Sequence, residues 1–457
     1  MLRDSLPLLG KTHIPLFTQD TPIAPHSDRR RFSSEKSFVA SLTCAAIGLG
    51  NMWRFPYIVG LNGGGSYVVA QIIAMLVVCF PIMWLSIAAG RLSQKDVVHC
   101  YGQVNKIGRI HGWFVVILTI AITSYYLVVT GWCLGYAVDA VNDKLVIFKH
   151  FSSGYRSLYY FLVICIAAPL VLIKGVAAIQ KSSSVLMPVL MLIMFSLVGV
   201  ATQTDGWSQA VAYLVRFDFS RLKSVDLWVF ALGQACYTVA VGQGYLECYG
   251  SYIPEKTHVP RAALIVGSVE MLVSLLSGFF MFPFIFALDL EPTAGSELAF
   301  NTLPLVFKSL TGGYWLGIMF FMLFFLAAFS SCIAGLKVII SAVEEQFKLK
   351  PKMAVLVVGL LMLVLGTPSA LSSTPLQLKI GDESVLDFVD RFTGTTMVIF
   401  SGFFGAFILT WFIPKHKIHR ALGVEHRWWT DFIYVIGRWS PIAVLIFALV
   451  QFFLTIV

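Results

Sequence analysis

The sequence predicts an all-α polytopic membrane protein with eleven transmembrane helices, and three observations lead there. Of its 457 residues, 58% are hydrophobic and 12% charged, a balance too apolar for the surface of a soluble globule. Charge-poor stretches of about 20 residues, the length a bilayer core demands, recur along the whole chain. They fall near 38–59, 66–89, 113–138, 158–173, 185–201, 227–246, 262–288, 314–343, 353–369, 392–412 and 430–454. Finally, with the N-terminus inside, 21 Lys and Arg lie in the tail and the loops after even-numbered spans, against 9 in the other loops. That asymmetry sets the N-terminus in the cytoplasm and the C-terminus outside.

The formal charge of +9 is thus loop marking between apolar runs, and no nucleic-acid partner is expected; the lipid bilayer is. Eight cysteines form no CxxC pair and sit mostly inside apolar runs, which argues against a disulfide framework or a zinc site. The first 36 residues lack an apolar core ending in small residues and read as a cytoplasmic tail rather than a cleaved signal. There is no HExxH, no GxSxG and no paired intramembrane aspartate, so an enzyme is not expected.

Spans 1 and 6 are the irregular ones. Span 1 carries Gly48, Gly50, Asn51, Arg54 and Pro56 in its middle, residues that weaken a helix or resist leaving water. Span 6 repeats the oddity with Thr238, Gly242, Gln243 and Gly244. Two interrupted helices five spans apart, entering from opposite sides, mark an inverted repeat. The chain then divides into a tail with an inner-gate segment (1–36), spans 1–5 (37–204), spans 6–10 (205–414), and a loop with span 11 (415–457). An unwound helix frees carbonyls for cations and amides for a carboxylate, with the half-helix dipoles assisting.

The residues that carry a resemblance are GlyLeuGlyAsnMetTrpArgPhePro at 48–56 and AsnGlyGlyGly at 62–65. Supporting them are GlyGlnAlaCysTyrThr at 233–238, Tyr125 and Tyr126 with Trp132, and AlaAlaPheSerSer at 327–331. In these the chain resembles the neurotransmitter:sodium symporters, in particular their bacterial amino-acid members, from Arg29 to Val457. The resemblance implies a LeuT-like 5+5 inverted repeat and two sodium sites at mid-membrane. The first would use the Ala46 carbonyl, Asn51, Thr238 and a span 7 residue, completed by the substrate carboxylate. The second would use carbonyls of Cys44, Ile47 and Ala327 with the hydroxyls of Ser330 and Ser331. Oxygen-only ligation suits a hard cation.

For the substrate, the resemblance gives the amides of Leu49 and Gly50 and the Tyr126 hydroxyl to the carboxylate. The amino group would meet carbonyls of Ala46, Tyr237, Thr238 and Ala240. Ile122, Tyr126, Tyr237, Ala240, Gln243, Ser331 and Gly335 would line the side-chain pocket. Monoamine carriers of this family have Asp where this chain has Gly48, so a carboxylate-bearing neutral amino acid is expected, mid-sized to large and with a polar or aromatic side chain, since Gly335 and Ala240 leave room and Gln243 stands where the family often has an aromatic or aliphatic residue.

Two departures from the family pattern carry consequences. Glu270 falls where many relatives place Asn or Asp at the first sodium site, and Ser274 where chloride-dependent relatives have Ser and some bacterial ones Glu. Glu270 is expected to supply the negative charge that chloride supplies elsewhere, which would remove a chloride requirement. Ala178, ten positions before Pro188, replaces a glycine that eases unwinding of span 5 in some bacterial members. For the gates, the pattern gives Arg54 with Asp390 outside, and Arg29 with Glu345, Phe32 and Tyr252 inside.

Plainer readings stand beside these: the ArgArgArg run at 29–31 also obeys the positive-inside rule, and Lys337 reads as a paired or snorkelling lysine. Short external loops without sequons point to a prokaryotic inner (plasma) membrane. A non-transporting amino-acid sensor on the same fold is the alternative, separated from a symporter by accumulation in sealed proteoliposomes.

Overall fold

The computed structural model describes residues 31–289, 298–310, 312–424 and 428–456. Eight of its helices are long and apolar enough to cross a membrane. They are Gly65–Ser93, Lys106–Val141, Arg156–Lys174, Val176–Ala201, Val259–Phe286, Gly313–Gln346, Pro351–Ser372 and Val385–Phe412, hereafter spans 2, 3, 4, 5, 7, 8, 9 and 10. Helix Trp428–Ile456 is span 11. The remaining two spans are interrupted, as their glycines foretold.

Span 1 runs as helix Glu35–Ala46, opens at residues 47–49, and resumes with a π-helical turn Gly50–Arg54 leading into helix Phe55–Leu61. Its first half starts on a capping box, Ser34 exchanging bonds with Ser37. The break is written in the hydrogen bonds: the Gly48 amide donates to Asn51 Oδ1 at 3.4 Å and the Leu49 amide to the Tyr126 hydroxyl at 3.0 Å. Neither serves the helix, so the carbonyls of Cys44 and Ala45 lose their helical donors.

Span 6 runs as Val225–Thr238 and Tyr245–Gly250. Between the halves the chain turns through left-handed backbone at Ala240 (φ 52°), Gly242 (φ 84°) and Gly244 (φ 74°). Neighbours pin this turn: Thr119 of span 3 donates to the Gln243 carbonyl at 2.9 Å, and Ser401 of span 10 to the Gly242 carbonyl at 2.8 Å. Span 10 approaches so closely that a Cβ on Gly242 would lie 2.4 Å from the Val398 carbonyl.

Spans 3 and 8, the longest helices, lie against one another and form a wall facing both breaks. Aromatic rings fill that wall, Tyr136 stacking on Phe321 at 4.9 Å and Phe320 meeting Phe324 at 4.2 Å. Span 5 is continuous through Ala178 and Pro188 and carries Val185, Leu192 and Phe195 exposed on its outer face. Short helices lie at one end of the bundle, Val97–Gly102 between spans 2 and 3 and Lys415–Leu422 before span 11, each following an even-numbered span.

Candidate functional site

The breaks of spans 1 and 6 and the wall of spans 3 and 8 line a cavity. Gly48, Gly50, Ala45 and Ala46 form one side, Ile122, Thr123 and Tyr126 the second, and Ser331 and Cys332 the third. Tyr237, Ala240, Gln243 and Tyr245 close it from span 6. Small residues are required where backbone faces the cavity. A Cβ on Gly48 would sit 2.7 Å from both Ser331 Oγ and Tyr126 Oη, and one on Gly50 would sit 2.4 Å from the Tyr237 ring.

Oxygen atoms gather on two flanks. On the first, Asn51 Nδ2 donates to Glu270 Oε2 at 2.9 Å, to the Glu270 carbonyl at 3.3 Å and to Ser274 Oγ at 3.2 Å. Glu270 is fully buried in span 7, and its Oε1 has no hydrogen-bond partner. Ser277 Oγ donates to the Asn51 carbonyl at 2.8 Å, and Gln234 Nε2 to the Gly50 carbonyl at 2.8 Å. Gln234 Nε2 also reaches Thr238 Oγ1 at 3.4 Å. On the second flank, Ser331 Oγ lies 3.0 Å from the Ala45 carbonyl and 3.1 Å from that of Ile47. Ser330 Oγ donates to the Ala327 carbonyl at 2.8 Å. A smaller cavity touches Cys44 and Ser330 together with Ser182 and Ser183 of span 5. Carbonyl, hydroxyl and carboxylate oxygens, with Glu270 Oε1 still unpartnered, are the ligand type a hard cation takes.

Known proteins resemble this chain in sequence and fold. The family model described as the sodium:neurotransmitter symporter family matches residues 29–157 and 153–456. The chain belongs to that family. An uncharacterized sodium-dependent transporter of Methanocaldococcus jannaschii is 30% identical over 91% of this chain and 89% of its own length. Another, of Haemophilus influenzae, is 29% identical over 87% of this chain and 92% of its own length. The crystal structure of MhsT in complex with L-phenylalanine superposes with a TM-score of 0.85, at 28% identity, over 92% of this chain and 99% of that one. The symporter therefore has the LeuT fold, and it is a sodium-dependent secondary transporter of the membrane, not an enzyme.

Of the residues expected at the substrate, the symporter brings Ala46, Gly48, Gly50, Ile122, Tyr126, Tyr237, Ala240, Gln243 and Ser331 to the cavity surface. Leu49 stands just behind it, its amide on Tyr126, and Thr238 lies on the Gln234 side. Gly335 backs the wall, since a Cβ there would meet Thr123 Oγ1 at 2.5 Å and Tyr245 Oη at 2.9 Å. The Tyr237 carbonyl accepts from the Ala240 amide at 3.1 Å, leaving one lone pair.

Thr123 and Tyr245 also line the cavity and were not anticipated. Thr123 was legible as the neighbour of Ile122, one turn before Tyr126. Tyr245 was not, because where the second half of span 6 restarts depends on the left-handed turn before it.

The ends of the cavity are covered by side chains. Arg54 lies over the Tyr237 ring at 5.0 Å, and Tyr125 donates to Asp390 Oδ1 at 2.6 Å. Arg54 and Asp390 make no direct ion pair with one another; each is met by a tyrosine instead. At the opposite end the Phe32 amide donates to the Tyr252 carbonyl at 3.0 Å and its ring stacks on Tyr249 at 5.9 Å. Lys337 is buried over the Tyr252 ring at 4.9 Å. Glu345 accepts from the Asp96 amide at 3.0 Å, while Arg29 lies outside the described residues.

Proposed function

We propose that this symporter couples two sodium ions to the import of a neutral amino acid by alternating access, without a chloride requirement. Gly48 carries the reading of substrate class. With Ser331 and Tyr126 each 2.7 Å from where its Cβ would be, no acidic side chain fits beside the substrate amine. A ligand here therefore needs its own carboxylate to balance its ammonium, and the Leu49 amide with the Tyr126 hydroxyl supports holding it. The complex with L-phenylalanine of MhsT, a structure that superposes closely, supports the same class.

In this reading Ala46, Asn51, Thr238 and Glu270 surround the first sodium, and Cys44, Ile47, Ala327, Ser330 and Ser331 the second. The substrate carboxylate completes the first, so each ligand raises the other's affinity by the same factor. Two sodium ions crossing 100 mV contribute about 4.6 kcal/mol and tenfold gradients about 2.8 more, enough for roughly 10⁵-fold accumulation. Residues 37–204 and 205–414 act as the two inverted repeats, with the tail cytoplasmic and the C-terminus external.

Arg54 with Asp390, and Glu345 with Arg29, Phe32 and Tyr252, serve as the outer and inner closures, which open in alternation. A thermal-shift screen of the twenty amino acids tests the core of this. Preferential stabilisation by a neutral amino acid in sodium over potassium is expected, and stabilisation by none would overturn it.

A further inference from the structure

The far wall of the cavity holds a polar atom that the protein itself does not satisfy. Thr123 is 2% exposed, lines the cavity, and its Oγ1 has no hydrogen-bond partner. Other threonines of the same span behave differently: Thr119 Oγ1 donates to the Val115 carbonyl at 2.7 Å and Thr130 Oγ1 to the Tyr126 carbonyl at 2.8 Å, each back to the preceding turn. Thr123 has the same local option and does not take it. Its hydroxyl instead points across Gly335, where the absence of a side chain leaves room for it and for Tyr245 Oη. Gln243 lines the cavity from span 6, beside Tyr245. A buried hydroxyl left unpaired costs about 1–3 kcal/mol, so the wall is complete only when a partner arrives.

We infer that the substrate's side chain ends in a hydrogen-bonding group, a hydroxyl or carboxamide, received by Thr123 Oγ1 together with Tyr245 Oη. This deepens the amino-acid reading above and rests on it. The backbone of span 1 takes the α-carboxylate and ammonium end. The side chain then extends toward span 3 and Gly335, where its polar terminus meets the two hydroxyls. Sites built to hydrogen-bond a substrate group reject the analogue lacking it far more strongly than apolar pockets reject an extra hydroxyl. Thr123 is therefore a specificity-determining residue, and the site disfavours aliphatic amino acids of equal size.

Near-isosteric pairs test this directly. Purified protein in sodium is titrated with threonine and valine, asparagine and leucine, glutamine and methionine, and tyrosine and phenylalanine, with potassium as control. In the pair that binds best, the polar member is expected to bind at least about tenfold tighter. Thr123→Val is expected to remove that preference while leaving the apolar member within about threefold, which also shows that the variant folds. Equal or tighter binding of the apolar member to the unaltered protein overturns this inference and leaves the amino-acid reading intact. So does a Thr123→Val variant that retains the preference. Sodium-dependent binding of neither member of any pair overturns both.

Discussion

Asn51 Nδ2 and Glu270 Oε2 are 2.9 Å apart, joining the break of span 1 to the middle of span 7 with both side chains buried. The second carboxylate oxygen, Oε1, is unpartnered. An intramembrane carboxylate is expensive unless a cation or a polar network meets it, and the Asn51 amide meets only one oxygen. A sodium ion beside Asn51 would complete the balance. On the proposal that Glu270 is the resident anion, replacing chloride by gluconate is expected to leave uptake within about twofold. Glu270→Gln keeps the shape and removes the charge. It is expected to weaken sodium affinity at least about tenfold, consistent with losing a charged hydrogen bond worth about 1.5–3 kcal/mol. Sodium titrations of substrate binding in chloride and in gluconate check both. Unchanged sodium affinity in the variant would remove Glu270 from the ion site.

Gly48 makes the second prediction. Its Cβ position is contested by a hydroxyl from span 8 and another from span 3, each at 2.7 Å. Tyr126 also holds the Leu49 amide, so it cannot retreat without breaking that bond. Gly48→Ala is expected to lower substrate affinity by roughly 5- to 150-fold, the effect of an overpacking cost near 1–3 kcal/mol. Sodium-dependent thermal stabilisation by the best-binding amino acid measures it. Near-wild-type binding would mean that the break opens further than this geometry allows.

Much of this was legible in the chain, and the limit has a physical form. The interruptions of spans 1 and 6 were visible because glycine, asparagine and arginine interrupt apolar runs, and composition alone carries that signal. Span ends were less so. Span 3 begins at Lys106, seven residues before its apolar stretch, and span 8 ends at Gln346, three residues after its own, because helices continue beyond the hydrocarbon core on polar residues. The pairing of Asn51 with Glu270 needed the resemblance, since 219 residues separate them and no local pattern spans that distance. The orphaned hydroxyl of Thr123 was beyond sequence altogether: only the fold decides whether a threonine bonds back to its own helix or turns away.

The Asp390 end supplies the third prediction. Tyr125 donates to Asp390 Oδ1 at 2.6 Å while Arg54 rests on Tyr237, whose ring lines the cavity. The acid and the base are each held by a tyrosine, so in the proposed closure at this end Tyr125 supports Asp390 and Tyr237 supports Arg54. Tyr125→Phe removes a single link without altering the ring. It is expected to leave equilibrium binding within about threefold and to speed substrate dissociation several-fold, the loss of one charged hydrogen bond falling on the escape step. Rapid-dilution dissociation of radiolabelled substrate reads this. An unchanged dissociation rate would exclude Tyr125 from the closure.

The fourth prediction concerns Asp96, which begins the short helix Val97–Gly102 outside the spans and accepts from the Val98 amide at 2.8 Å and the His99 amide at 3.3 Å. Burial opposes its charge, yet the His99 side chain and the Val98 amide together hold its carboxyl below the usual aspartate value. Gln346 Nε2, at the end of span 8, donates to the same carboxylate at 3.1 and 3.2 Å. A depressed value means that the folded state favours the ionised form. The stabilisation is therefore complete above the ordinary aspartate value of about 3.9 and disappears as pH falls below it through the folded value. Asp96→Ala is expected to lower unfolding free energy at neutral pH by roughly 0.5–2 kcal/mol, the cost of an N-cap. The gap between wild type and variant should close progressively below about pH 3.9. Melting curves in detergent across that range measure it, and a gap independent of pH would mean that the carboxylate's charge plays no part in anchoring this helix to span 8.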